Sequence, residues 1–140
     1  MATGSNRKSR AFLIGAGAMG LATIGIPLFV SPLRWARVLQ WRIPDDTDLT
    51  TYFGRTLGAA MVALSAGGLR AARRPEEHRI VFEMTFLGSL LATAAHVWGA
   101  LLRRQPWTET VEIGFWSAMA AAALLAYPRE KPADSQSDAV

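Results

Sequence analysis

The sequence predicts an all-α protein: an integral membrane four-helix bundle with both ends on the cytoplasmic side. Three observations lead there. Charged residues make up 19% of the 140-residue chain yet collect in short segments, leaving apolar windows at about 11–30, 49–69, 80–102 and 109–127. Some 20 apolar residues suffice to cross a hydrocarbon core roughly 30 Å thick. Lys and Arg are unequal on the two sides this implies, nine (Arg7, Lys8, Arg10, Arg70, Arg73, Arg74, Arg79, Arg129, Lys131) against five (Arg34, Arg37, Arg42, Arg103, Arg104), and the richer side faces the cytoplasm. Small residues recur at helical spacing within the windows, the pattern by which membrane helices approach closely. Three spans with one weak window on the membrane surface is the competing arrangement.

Residues 1–10 are polar and basic, read as a cytoplasmic N-terminus, and Ala11 to Val30 follows without a charge. A basic start before an apolar run also describes a signal peptide, but the run is longer than the usual 7 to 15 residues and no small-x-small site ends it, so a retained first helix is expected. Ser31-Pro32 starts the first outer loop, with Ser as cap and Pro at the first helical position. Two readings fit this loop. It is a connecting turn with interfacial tryptophans, or a short helix whose Trp35, Val38 and Leu39 lie on the membrane while Arg34, Arg37 and Arg42 meet lipid phosphates.

Pro44 and the acids Asp45, Asp46 and Asp48 break this segment and place negative charge at the start of the second span. Arg70, Arg73 and Arg74 end that span, and Pro75-Glu76-Glu77 is read as the first turn of the third. The connections are short, so neighbouring helices should be antiparallel. Arg103 and Arg104 close the third span, Pro106-Trp107 opens the fourth, and from about residue 129 the chain reads as a disordered cytoplasmic tail.

The letters Gly15-Ala16-Gly17-Ala18-Met19-Gly20 spell a dinucleotide-binding turn, but no βαβ pattern or ribose-binding acid accompanies them. Helix packing explains them better, with Gly15, Gly54, Gly58, Gly88 and Ala92 as the expected contact positions. There is no cysteine, no Ser-His-Asp order, no H-E-x-x-H and no Walker loop, so no catalytic residue is assigned. The basic charges flank apolar windows and form no continuous face, so nucleic acid is not an expected partner. His78 and His96 would lie roughly 27 Å apart along a helix, too far to share a metal or haem, and no metal site is predicted. Glu83 is expected to pair with Arg73, Arg74 or Arg10.

One polar constellation remains. Arg55, His96 and Glu112 come from three spans and reach a similar depth below the outer interface, where an Arg–carboxylate pair with a neighbouring imidazole would form a ligand-binding cluster. The alternative is that Arg55 and Glu112 reach to the headgroups and His96 is a satisfied core residue.

A bend rich in Pro and acids, Phe53-Gly54-Arg55-Thr56-Leu57-Gly58-Ala59-Ala60 in the second helix, and a fourth helix preceded by Pro106-Trp107 together resemble the small four-helix bacterial membrane proteins of the DoxX-like and related uncharacterised families. The resemblance covers about residues 50–128, and its most specific element is Arg55-x-x-Gly58. It implies a multi-pass protein of the bacterial inner membrane. DoxX-like proteins are linked to quinone-coupled sulfur oxidation, but no residue here carries that activity over. Two functions are therefore expected to compete. One is a non-enzymatic subunit or scaffold that self-associates or joins a larger membrane complex, with membrane lipids as its surroundings and no cofactor. The other is a quinone- or lipid-binding accessory of a redox system that uses the polar cluster.

Overall fold

A computed structural model of the chain describes residues 4–128, and every regular element among them is helical. The order is α1 (Gly4–Met19), a π-helical segment (Gly20–Gly25), α2 (Ile26–Val30), α3 (Pro32–Val38), α4 (Asp48–Ala71), a 3-10 turn (Pro75–Glu77), α5 (Arg79–Leu101) and α6 (Trp107–Leu125). The segment read as a disordered tail lies outside the described residues. The first three elements form one rod, and Pro27 near its end explains a local feature. Proline has no N–H to offer the carbonyl four residues back, which is that of Thr23. The indole Nε1 of Trp35 donates to this carbonyl instead, at 2.9 Å. Residues 32–38 thus form the short helix, and Trp35 folds back onto the rod. Ser31 occupies the N-cap position but makes no side-chain cap bond, contrary to expectation, while Pro32 does fill the first turn.

Two helix ends use the same device. Gln40 (φ 65°) follows α3 and Arg103 (φ 52°) follows α5, both in the left-handed region without being glycine. Trp41 N–H donates to the Ala36 carbonyl at 3.0 Å and Arg104 N–H to that of Gly99 at 3.1 Å, the six-to-one bond that closes a Schellman turn. Pro75-Glu76-Glu77 is not the first turn of the third long helix: it is a separate 3-10 turn, followed by His78 in a non-helical conformation (φ −124°), and α5 starts at Arg79. Glu83 also departs from its expected partners, accepting a 2.7 Å hydrogen bond from the Tyr127 hydroxyl.

The helices pack as two antiparallel hairpins, the rod against α4 and α5 against α6, with only slight contact between α4 and α5. Glycines set the first interface. A Cβ on Gly58 would collide with the backbone of Phe29, and one on Gly54 with Pro32. Gly17, Gly20 and Gly25 likewise face Leu69, Ser65 and Val62. Gly15 and Gly88 meet no other part of the chain, since each faces open space, and Ala92 is half-buried. At one end the hairpins are joined by an apolar cluster of Leu13, Ala71, Ala72, Phe82 and Ala126. Phe82 stacks on Phe12 with ring centroids 5.7 Å apart and meets Tyr127 edge-on at 6.0 Å. Beside it the buried Ser9 hydroxyl donates to the Ala126 carbonyl at 2.6 Å.

Small side chains fill much of the interior beside Leu13, Leu28 and Phe82, and many large apolar side chains lie outside. Ser9, Ser65, Ser89, Ala71, Ala72, Ala120 and Ala123 are buried, whereas Leu57, Leu64, Leu87, Leu91, Leu101, Leu124 and Leu125 are exposed. Among the described residues, two helices, Asn6–Val30 and Arg79–Leu101, are long and apolar enough to cross a membrane.

Candidate functional site

At the end of the molecule opposite the Phe82 cluster, α5 and α6 bring together one imidazole and two carboxylates. Glu109 stands in the first turn of α6, where the helix dipole favours an acid. Glu112 follows three residues later and therefore shares its face. His96, late in α5, lies between them: its Nδ1 is 3.3 Å from Glu109 Oε2 and its Nε2 is 3.5 Å from Glu112 Oε2. Glu109 is 6% exposed, which is unusual for an acid and makes its partners decisive.

Those partners come from loops and from tryptophan. Trp41, set in place by the Schellman turn after α3, donates its indole N–H to Glu109 Oε1 at 2.7 Å. Trp116, one turn beyond Glu112, donates to Glu112 Oε2 at 3.0 Å. The Thr108 hydroxyl donates to the Leu39 carbonyl at 2.6 Å, which ties the start of α6 to the end of α3. Gln105 folds back across Gly99 and donates to the His96 carbonyl at 3.0 Å. A side chain on Gly99 would occupy the path that Gln105 takes. Each carboxylate is thus held by one indole and faces one ring nitrogen.

Of the three residues expected to cluster, the structure gathers His96 and Glu112 and leaves Arg55 out. Arg55 is exposed on α4 and lines a separate open depression with Asp48, Tyr52 and Phe29. The reason is helical geometry: Gly54 and Gly58 turn toward α2, a step of about 100° carries Arg55 off that face, and the α5–α6 hairpin lies elsewhere. Glu109 takes the place that the sequence reading gave to Arg55. Its signal was the three-residue spacing to Glu112, while the Trp41 contact spans 68 positions and has no local signature.

A neutral imidazole has a single N–H and donates to one of the two carboxylates at a time, and each carboxylate also accepts an indole N–H. Among the described residues, no Lys or Arg forms an ion pair with either acid. One member, Glu112, also lines an open crevice of about 810 Å³ between the hairpins. Its walls are Met19, Ile24, Pro27, Val30 and Trp35 on one side and Val111 and Phe115 on the other, with Arg34 beside them. The lining is mostly apolar, and its polar members are Thr23, Ser31, Arg34 and Glu112.

Comparison with protein-family models, with curated proteins and with solved structures returns no match to this chain.

Proposed function

We propose that this is a multi-pass membrane protein that holds an amphiphilic molecule, with a hydrogen-bonding head and an apolar tail, in the crevice between its two hairpins. The observation that carries this reading is the crevice itself: an open space of about 810 Å³ with mostly apolar walls and Glu112 of the polar cluster in its lining. Ligand sites of this kind are concave and mostly apolar with a few convergent polar groups. A membrane lipid and a quinone share the required chemistry, and the protein acts as a binding accessory without catalysis of its own. All four long helices cross the bilayer of a bacterial inner membrane, with both chain ends on the cytoplasmic side, and the exposed leucines face lipid. The antiparallel hairpins and the excess of Lys and Arg near the Phe82 end support this orientation.

Two measurements test the reading. Reporter fusions after Val140 and within residues 70–79 are expected in the cytoplasm and fusions at residues 45–48 and at Gln105 outside; a periplasmic C-terminus would overturn the four-span arrangement. Native mass spectrometry of the protein purified in mild detergent is expected to show a retained lipid or quinone that disappears in Ile24→Trp, where an indole fills the crevice. Equal ligand content in the wild type and Ile24→Trp would remove the crevice from the account.

A second reading, a subunit or scaffold of a larger assembly, is favoured by Gly15 and Gly88, whose small surfaces face outward and are free to receive another helix. A stoichiometric protein partner without any bound amphiphile in the same spectra would support it over the first.

A further inference from the structure

We infer that His96, Glu109 and Glu112 form a binding site for a divalent first-row transition metal ion, of the Zn²⁺, Fe²⁺ or Mn²⁺ class. One ligand atom from each of the three residues lies within 4.8 Å of the others. Ions of this class hold N and O ligands at about 2.0–2.2 Å, so donors around one ion stand some 3 to 3.5 Å apart. The His96 Nδ1–Glu109 Oε2 separation of 3.3 Å lies in that range; Glu112 faces the other ring nitrogen, Nε2, at 3.5 Å, and its carboxylate joins a shared ion by a side-chain rotation within the 4.8 Å spread of the three ligand atoms. Imidazole with two carboxylates suits these ions; calcium and magnesium prefer all-oxygen sites, and cuprous copper prefers the thiolates and thioethers absent here.

Charge and surroundings point the same way. Glu109 is 6% exposed and makes no ion pair with a Lys or Arg among the described residues, and a buried carboxylate calls for compensation. Arg55, the cation that the sequence offers at this depth, is turned away on α4. The outer partners are those of a metal centre. Ligating carboxylates are oriented by further hydrogen bonds, and a ligating histidine commonly keeps its other N–H on an acceptor. Here the indoles of Trp41 and Trp116 hold the two carboxylates. Three protein ligands leave a further coordination position open, as in sites that bind an exogenous ligand. Glu112 lines the crevice, so that position has a route to its contents.

The test uses the full chain in mild detergent, with Co²⁺ and Zn²⁺ as probes. The wild type is expected to bind about one equivalent of Co²⁺ with the visible absorption of a low-coordinate nitrogen–oxygen site, and Zn²⁺ should displace it. Co²⁺ should also quench the fluorescence of Trp41 and Trp116, which touch the ligands. His96→Ala and Glu112→Gln are expected to abolish binding, Trp41→Phe to weaken it roughly 10-fold, and His78→Ala to leave it unchanged. A monodisperse, fully helical wild type that binds neither ion, or Co²⁺ bands that survive His96→Ala, would overturn the site. Ion binding is read without any amphiphile present, so its failure leaves the crevice reading standing, and loss of the amphiphile leaves this one.

Discussion

Gly58→Leu is expected to destabilise the protein by about 3 kcal/mol, the upper part of the usual range for overpacking a close contact. Gly58 is buried where α4 crosses α2, and any side chain there would run into the backbone nitrogen and Cα of Phe29. Backbone cannot yield as a side-chain tip can, so the two helices must separate, and with them go the neighbouring contacts at Gly54, Gly25 and Gly20. In a lipid surrounding the driving force for helix association is this packing, since lipid tails are as apolar as leucine. Unfolding in a denaturing-detergent titration, followed by circular dichroism, measures the effect. The suitable control is Leu57→Val, at an exposed position one residue away. Val62 is a poor control, because it packs directly on Gly25. Similar stabilities for Gly58→Leu and Leu57→Val would show that the α2–α4 approach does not hold the first hairpin together.

Phe82→Ala is expected to cost about 3 kcal/mol or more, in the range for truncating a buried phenylalanine. The ring is 1% exposed and sits where the two hairpins meet, between Phe12 of the first and Tyr127 of the second. Because α4 and α5 touch only slightly, this cluster is the principal apolar link between the hairpins at that end. Its loss should loosen one hairpin against the other and leave each internally paired. Thermal unfolding should therefore broaden as well as shift, and proteolysis in the 72–78 loop should accelerate. A change below about 1 kcal/mol with an unaltered transition would place the hairpin contact elsewhere.

Much of the helix layout was legible because it follows from local rules. Apolar windows, prolines and acids at helix starts, and short connections are read within a few residues of one another, and α4, α5 and α6 lie over the windows that these signals mark. The misplaced turn at Pro75 shows the limit of such rules: proline and acids suit the start of a 3-10 turn as well as that of an α-helix, and His78 decides between them. The two Schellman ends at Gln40 and Arg103 were not legible, since neither carries the glycine that normally announces a left-handed residue. The candidate site was legible in part. His96 and Glu112 stand out as ionisable residues in apolar helices, but Glu109 was passed over at the edge of a window. Arg55 was grouped with them by depth alone.

By itself the sequence determined that the described residues are helical, that they include windows long and apolar enough to cross a membrane, and that a few ionisable residues lie within the helices. Those are properties of composition and spacing along one helix, and they survive whatever the helices do next. Depth along a helix says nothing of direction around it, and rotation is set by which small residues meet which backbone. Tertiary packing therefore decided that Gly54 and Gly58 face α2, which turns Arg55 away, while Gly15 and Gly88 face outward. It also decided that an indole from a distant loop reaches Glu109, and that one histidine stands between two acids at the edge of an open crevice.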